Sequence, residues 1–287
     1  MEILLLTLII FGILSQNVCL SAYTKRNGER GIFALTALIA LAAFAVFFFA
    51  GGFSYTFAWR YVPYSVGFAL SYASANLFAS LAIREGSLSL TGLVTSYALL
   101  VPALYGMIFL HEPIGVWKIV GILLLAVSLF LINIEKKAGE GERKITLRWA
   151  IFAFLAFLGN GFCSTTQKME QAAFGGEGAV EFMLIALALV FVIFFTLSFI
   201  KERKDWKEAL PRGCAFGLLC GLANGACNFL VVLLNPRMPA SVMYPLISAG
   251  GIVVTTLVSV LIFKERLSRS QWLGMAIGVT SIVFLNL

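Results

Sequence analysis

Aspartate is almost missing from this chain of 287 residues: Asp205 is the single example, and His111 is the single histidine. Charged residues of both signs make up only 12%, against about a quarter in soluble domains. That deficit excludes a water-soluble monomer. An intramembrane aspartyl protease needs two aspartates within the bilayer, and neither HExxH nor GxSxG occurs, so a membrane-embedded enzyme has no motif to stand on. No P-loop is present either, which argues against ATP as the energy source. The five cysteines (Cys19, Cys163, Cys214, Cys220, Cys227) lie in apolar stretches without CxxC spacing. They read as small packing residues, with no disulfide framework, zinc site or cofactor implied.

What the chain has in abundance is apolar surface: 60% of its residues are hydrophobic and the mean hydropathy is +0.95. A helix needs about 20 apolar residues to cross the hydrocarbon core. Spans are predicted near 3–22, 31–51, 61–83, 88–110, 114–134, 147–167, 178–200, 211–234, 239–262 and 270–287, separated by charged or helix-breaking residues. Pro102 and Pro245 fall inside spans, where neighbouring helices can re-satisfy the backbone. The apolar run Ile3–Leu14 has the look of a signal peptide but lacks a basic flank, and is expected to be a retained helix.

The net charge of +7 comes from Lys and Arg confined to short connections, which fits membrane topology better than nucleic acid. Loops after odd-numbered spans hold seventeen of the 21 basic residues and the other side holds four. The odd loops are therefore expected in the cytoplasm and both termini outside the inner membrane. All five tryptophans (Trp59, Trp117, Trp149, Trp206, Trp272) sit near span ends, as an aromatic belt requires.

The sequence also matches itself. Asn17, Ser21 and Lys25 recur as Asn160, Ser164 and Lys168, and Glu112, Gly121, Ser128 and Asn133 recur as Glu265, Gly274, Ser281 and Asn286. The implied architecture is an all-α integral membrane protein of ten transmembrane helices: a five-helix repeat over 1–134, a cytoplasmic linker over 135–146, and a second repeat over 147–287. Five is odd, so the second repeat is inserted upside down, the arrangement of many secondary transporters.

Polar residues inside the spans are the candidates for touching solute. Asn17 and Ser21 share one helix face at i, i+4, as do Asn160 and Ser164; Tyr72 and Asn76 correspond in the same way to Asn224 and Asn228. Their symmetric placement favours a shared central cavity over simple interhelical hydrogen bonding. Tyr97 and Tyr244 add aromatic hydroxyls on the fourth and ninth spans. Lys25 and Lys168 are expected to snorkel from helix ends, and Glu112 and Glu265 to cap the helices that follow them. No carboxylate is placed well inside a span, Glu181 coming nearest. That favours neutral, zwitterionic or anionic solutes over proton-driven export of cationic drugs.

LHEPIGVWKIVGILLLAVSLFLIN and FKERLSRSQWLGMAIGVTSIVFLNL, carrying Glu112, Gly121, Glu265 and Gly274, resemble the ends of EamA-type repeats of the drug/metabolite transporter superfamily. The resemblance implies a basket-like bundle, with helices 1, 3, 4, 6, 8 and 9 around a cavity and helices 5 and 10 outside. Helix 1 lacks the membrane glutamate of the related small multidrug transporters. The expected function is secondary transport of small metabolites, amino-acid-like ones first, by alternating access. The alternatives are a multidrug or quaternary-cation exporter of the same superfamily and, from another class, a membrane-embedded enzyme or channel. The partners are a small-molecule solute and the lipid bilayer, without nucleic acid, in a monomer or homodimer.

Overall fold

The computed structural model describes residues 2–27, 30–52, 55–85, 91, 94–113, 115–134, 146–202, 206–261 and 268–285. Among these, α-helices run over Glu2–Asn27 (α1), Ile32–Ala50 (α2), Val62–Glu85 (α3), Leu100–Phe109 (α4), Val116–Ile134 (α5), Leu147–Phe174 (α6), Ala179–Lys201 (α7), Trp206–Leu234 (α8), Ala240–Leu261 (α9) and Arg269–Leu285 (α10). No strand occurs among the described residues. Within that same set, six helices are long and apolar enough to cross a membrane: α1, α2, α3, α6, α7 and α8.

Two boundaries differ from the sequence expectation for physical reasons. A 3₁₀ turn, Tyr97–Leu99, precedes α4, and Pro102 stands in the first turn of the α-helix. There its missing N–H would have no intrahelical acceptor anyway. The sixth span, expected to end near 167, continues as α6 to Phe174, because 168–174 holds neither proline nor glycine to stop it. That extension changes the surroundings of Lys168 and Glu170.

The chain divides into two compact units. One comprises Met1–Ala73 and Met169–Arg237, in which α2 packs against both α7 and α8, and α1 against α8. The α2–α8 contact is close because Gly217, Gly221 and Gly225 recur every fourth residue on α8. A Cβ on Gly221 would stand 2.6 Å from Ala42 Cβ and 2.7 Å from the Ile39 carbonyl. Small residues at this spacing let backbones approach where lipid offers no hydrophobic drive for association. Phe47, Phe182 and Phe194 are fully buried in this unit.

The other unit comprises Ser74–Lys168 and Met238–Leu287. Here α5 pairs with α10, and α9 packs against α4, α5 and α10. Three residues singled out by the internal repeat build the α5–α10 seam. Ser128 Oγ donates to the Gly274 carbonyl at 2.6 Å, and a Cβ on Gly121 would meet Leu285 at 2.8 Å.

Candidate functional site

On α8 the amides selected by sequence do come together. Asn228 Nδ2 donates to the Asn224 carbonyl at 2.9 Å and to Asn224 Oδ1 at 3.2 Å. Asn224 Nδ2 then donates across to α1, at 2.9 Å, but its acceptor is Gln16 Oε1 and not Asn17. Adjacent residues on a helix point about 100° apart, so only one of the two can face α8. Gln16 does, and Asn17 is exposed. Sequence reasoning chose Asn17 because Asn160 repeats it; the signal for Gln16 was its position four residues after Gly12, whose carbonyl it meets at 3.4 Å.

Elsewhere the expected residues are more scattered. Tyr72 is half-buried, its ring stacked on Phe68 and edge-on to Phe194. Asn76 is half-buried on α3, its backbone carbonyl accepting from Ser80 Oγ at 2.9 Å. Tyr97 donates to the Ala126 carbonyl at 2.8 Å. Tyr244 donates to the Ser164 carbonyl at 3.1 Å, while Asn160, on the same helix as Ser164, is exposed. The side chains of Ser21, Lys25 and Asn133, and all of Glu265 and Asn286, lie outside the described residues. Tyr244→Phe is expected to lower the thermal stability of the detergent-solubilised protein by about 1 kcal/mol, the worth of one hydrogen bond.

Three expectations are corrected. Glu112 does not cap the helix that follows it. His111 adopts a left-handed conformation (φ 50°) and the Glu112 N–H returns to the Gly106 carbonyl at 3.2 Å. This turn aims the carboxylate at α9, where Oε1 accepts from the Ala240 N–H at 2.7 Å and Oε2 from the Ser241 N–H at 2.8 Å. Only glycine fits at 106, since a Cβ there would lie 2.7 Å from Glu112 Oε2 and 2.9 Å from Ala240 Cβ.

Lys168 does not snorkel. With α6 continuing past it, it is 7% exposed, donates to the Met238 carbonyl at 3.1 Å and pairs with Glu112 Oε1 at 4.0 Å.

The third correction is a carboxylate the span boundaries hid. Glu170 is fully buried on α6. Gln171 Nε2 donates to its Oε2 at 3.1 Å, while among the described residues Oε1 has no hydrogen-bond partner.

Residues 147–287 match the model of the EamA-like transporter family. A protein of Hamiltonella defensa, described as a probable 4-amino-4-deoxy-L-arabinose-phosphoundecaprenol flippase subunit ArnE, is 35% identical over 107 residues, covering 35% of this chain and 94% of that protein. The chain belongs to the EamA-like transporter family. Further relatives are similar over part or most of the chain. The quaternary ammonium compound-resistance protein QacG of a Staphylococcus strain is 28% identical over 89 residues, 31% of this chain and 78% of its own. An uncharacterized protein of Haemophilus influenzae is 24% identical over 226 residues, 77% of this chain and 74% of that one. A solved protein structure shares the fold with a TM-score of 0.75 at 18% identity, over 99% of this chain and 98% of the other. As an EamA-family protein the chain is a multi-pass membrane transporter, handling a small solute within a lipid bilayer.

Proposed function

We propose that this transporter is a secondary carrier of small neutral or zwitterionic metabolites, amino-acid-like ones first, working by alternating access in the inner membrane. Its ten helices form two inverted repeats, 1–134 and 147–287, joined by a cytoplasmic linker at 135–146, with odd loops cytoplasmic and both termini outside. Asn17, Ser21, Tyr72, Asn76, Tyr97, Asn160, Ser164, Asn224, Asn228 and Tyr244 are the side chains that touch solute. The observation that carries this reading is the half-buried carboxamide pair Asn224–Asn228 on an apolar helix of a transporter-family chain. A carboxamide in hydrocarbon costs a few kcal/mol unless it is satisfied or wet.

The test is flux into proteoliposomes over amino acids, sugars, nucleosides and quaternary amines, with and without a pH gradient. Saturable uptake of one or more amino acids or nucleosides is the expected result. Uptake of quaternary amines alone would overturn it in favour of a cation exporter. That second reading draws on the buried Glu170 and the likeness to QacG. It predicts that Glu170→Gln abolishes the pH-driven component of quaternary-amine flux.

A further inference from the structure

The contacts between α1 and α8 form a ladder of amides with a direction. At one end, Asn228 Nδ2 lies 2.9 Å from the Asn224 backbone carbonyl. A carbonyl only accepts, so the NH₂ and not the oxygen of Asn228 must point there. The same NH₂ supplies its second hydrogen to Asn224 Oδ1 at 3.2 Å, which turns Asn224 Nδ2 toward Gln16 Oε1 at 2.9 Å. At the other end, Gln16 Nε2 faces the Gly12 carbonyl at 3.4 Å. Backbone carbonyls therefore anchor the ladder at both ends. Reversing any single amide would set oxygen against oxygen or hydrogen against hydrogen.

The helices are fixed closely enough to hold this order. Gly12 lies against Cys227 Sγ, which donates to the Ile9 carbonyl at 3.5 Å, and Cys220 Sγ reaches the Gln16 carbonyl at 3.9 Å. Residues 220, 224 and 227 of α8 thus meet residues 9, 12 and 16 of α1, with Asn228 beyond this row. Asn228 has both amide hydrogens committed inward. What it offers outward is Oδ1, to which nothing donates among the described residues, in a side chain that is only half-buried.

We propose that Asn228 Oδ1 is an acceptor subsite for an N–H or O–H group of the transported solute, with Gln16 as the positioning residue that sets the direction of the ladder. The proposal rests on the carrier reading above and deepens it by naming the recognised chemistry. Ammonium or hydroxyl donors fit. A quaternary ammonium group, which has no N–H, leaves the buried-side ladder intact but the outward oxygen unmatched. Simple helix-to-helix bonding would need the ladder but would be indifferent to the solute's donors.

The test uses the full chain and solute pairs in which methyl groups replace the donor hydrogens, the size difference being the same for the parent protein and its Asn228 variants. Glycine against glycine betaine and phenylalanine against its N-trimethyl derivative form the ammonium arm, and ribose against its O-methylated derivative the hydroxyl arm. Flux into proteoliposomes and ligand-induced thermal stabilisation in detergent are both read. In at least one arm the donor-bearing member is expected to be favoured about tenfold, the discrimination a single hydrogen bond to a charged or hydroxyl group supports.

Asn228→Leu is expected to bring that ratio close to one, and Asn228→Gln, which keeps a carboxamide, to retain part of it. Gln16→Met is expected to shrink the ratio severalfold while flux continues. Because each ratio is internal to one preparation, a lower folded fraction does not alter it. Equal handling of every pair, an unchanged ratio in Asn228→Leu, or neither binding nor flux for any probe would overturn the proposal. Donor-selective binding without flux would refute the carrier reading and leave the acceptor subsite standing.

Discussion

Glu112→Ala is expected to destabilise the protein by about 3–5 kcal/mol, the range for breaking a buried ion pair by removing one partner. The Glu112 carboxylate does three things at once. It accepts the Ala240 and Ser241 N–H groups at 2.7 and 2.8 Å, and it sits 4.0 Å from Lys168 Nζ, both side chains being nearly enclosed (10% and 9% exposed). The first N–H groups of a helix have no intrahelical acceptor, so α9 loses its cap when the carboxylate goes. Lys168 is then left as a buried cation without the Glu112 carboxylate beside it, its ammonium still donating to the Met238 carbonyl at 3.1 Å.

Conservative variants separate these contributions. Glu112→Gln keeps one acceptor oxygen for α9 and is expected to cost less than alanine. Lys168→Met leaves both cap bonds in place and removes the cation together with its desolvation cost. In Glu112→Gln/Lys168→Met the loss should therefore be smaller than the sum of the two singles. Thermal or SDS unfolding in a mild detergent reads all four proteins. A Glu112→Ala loss of less than about 1 kcal/mol, the scale of an ordinary surface pair, would remove the cap and pair from the account of α9.

The helices were legible from hydropathy and from the charged breaks between them, and so was the membrane class, because both depend on neighbours in sequence. Partners distant in sequence were not. Glu112 could be singled out as a helix cap from its recurrence at 265, but the helix it caps begins 128 residues away from it, and spacing holds no record of that. The error over Lys168 came from one boundary: had α6 ended near 167, the side chain would have stood at a helix end and reached water. The same boundary hid Glu170. For the candidate site, periodicity put Asn224 and Asn228 on one helix face, and their side chains bond to each other. The residue of α1 that meets this pair is Gln16, which recurrence in the sequence could not select, because rotation about the helix axis and not repetition decides which side chain faces α8.

Glu202→Ala is expected to cost about 2–3 kcal/mol, chiefly through the loss of the two hydrogen bonds that its buried carboxylate accepts from the first turn of α2. Its Oε1 accepts the Phe33 N–H and its Oε2 the Ala34 N–H, each at 3.0 Å, with Ser198 Oγ donating to Oε2 at 3.0 Å. No residue local to α2 can take over. Its N-cap is Gly31, in the left-handed conformation (φ 70°) and without a side chain to turn inward. A helix whose own cap position is glycine depends on an acceptor brought from elsewhere, and here the end of α7 brings it. The loss should therefore be local before it is global. Hydrogen exchange at Phe33 and Ala34 is expected to accelerate in Glu202→Ala by more than at residues in the middle of α2, and Glu202→Gln, which keeps one carbonyl oxygen as an acceptor, should show an intermediate rate. The Asn228–Asn224–Gln16 ladder shares no hydrogen bond with this cap, so solute discrimination should survive in whatever fraction remains folded. Unchanged exchange at Phe33 and Ala34 would show that water replaces the carboxylate at no cost, and that α2 is held by its packing against α7 and α8 alone.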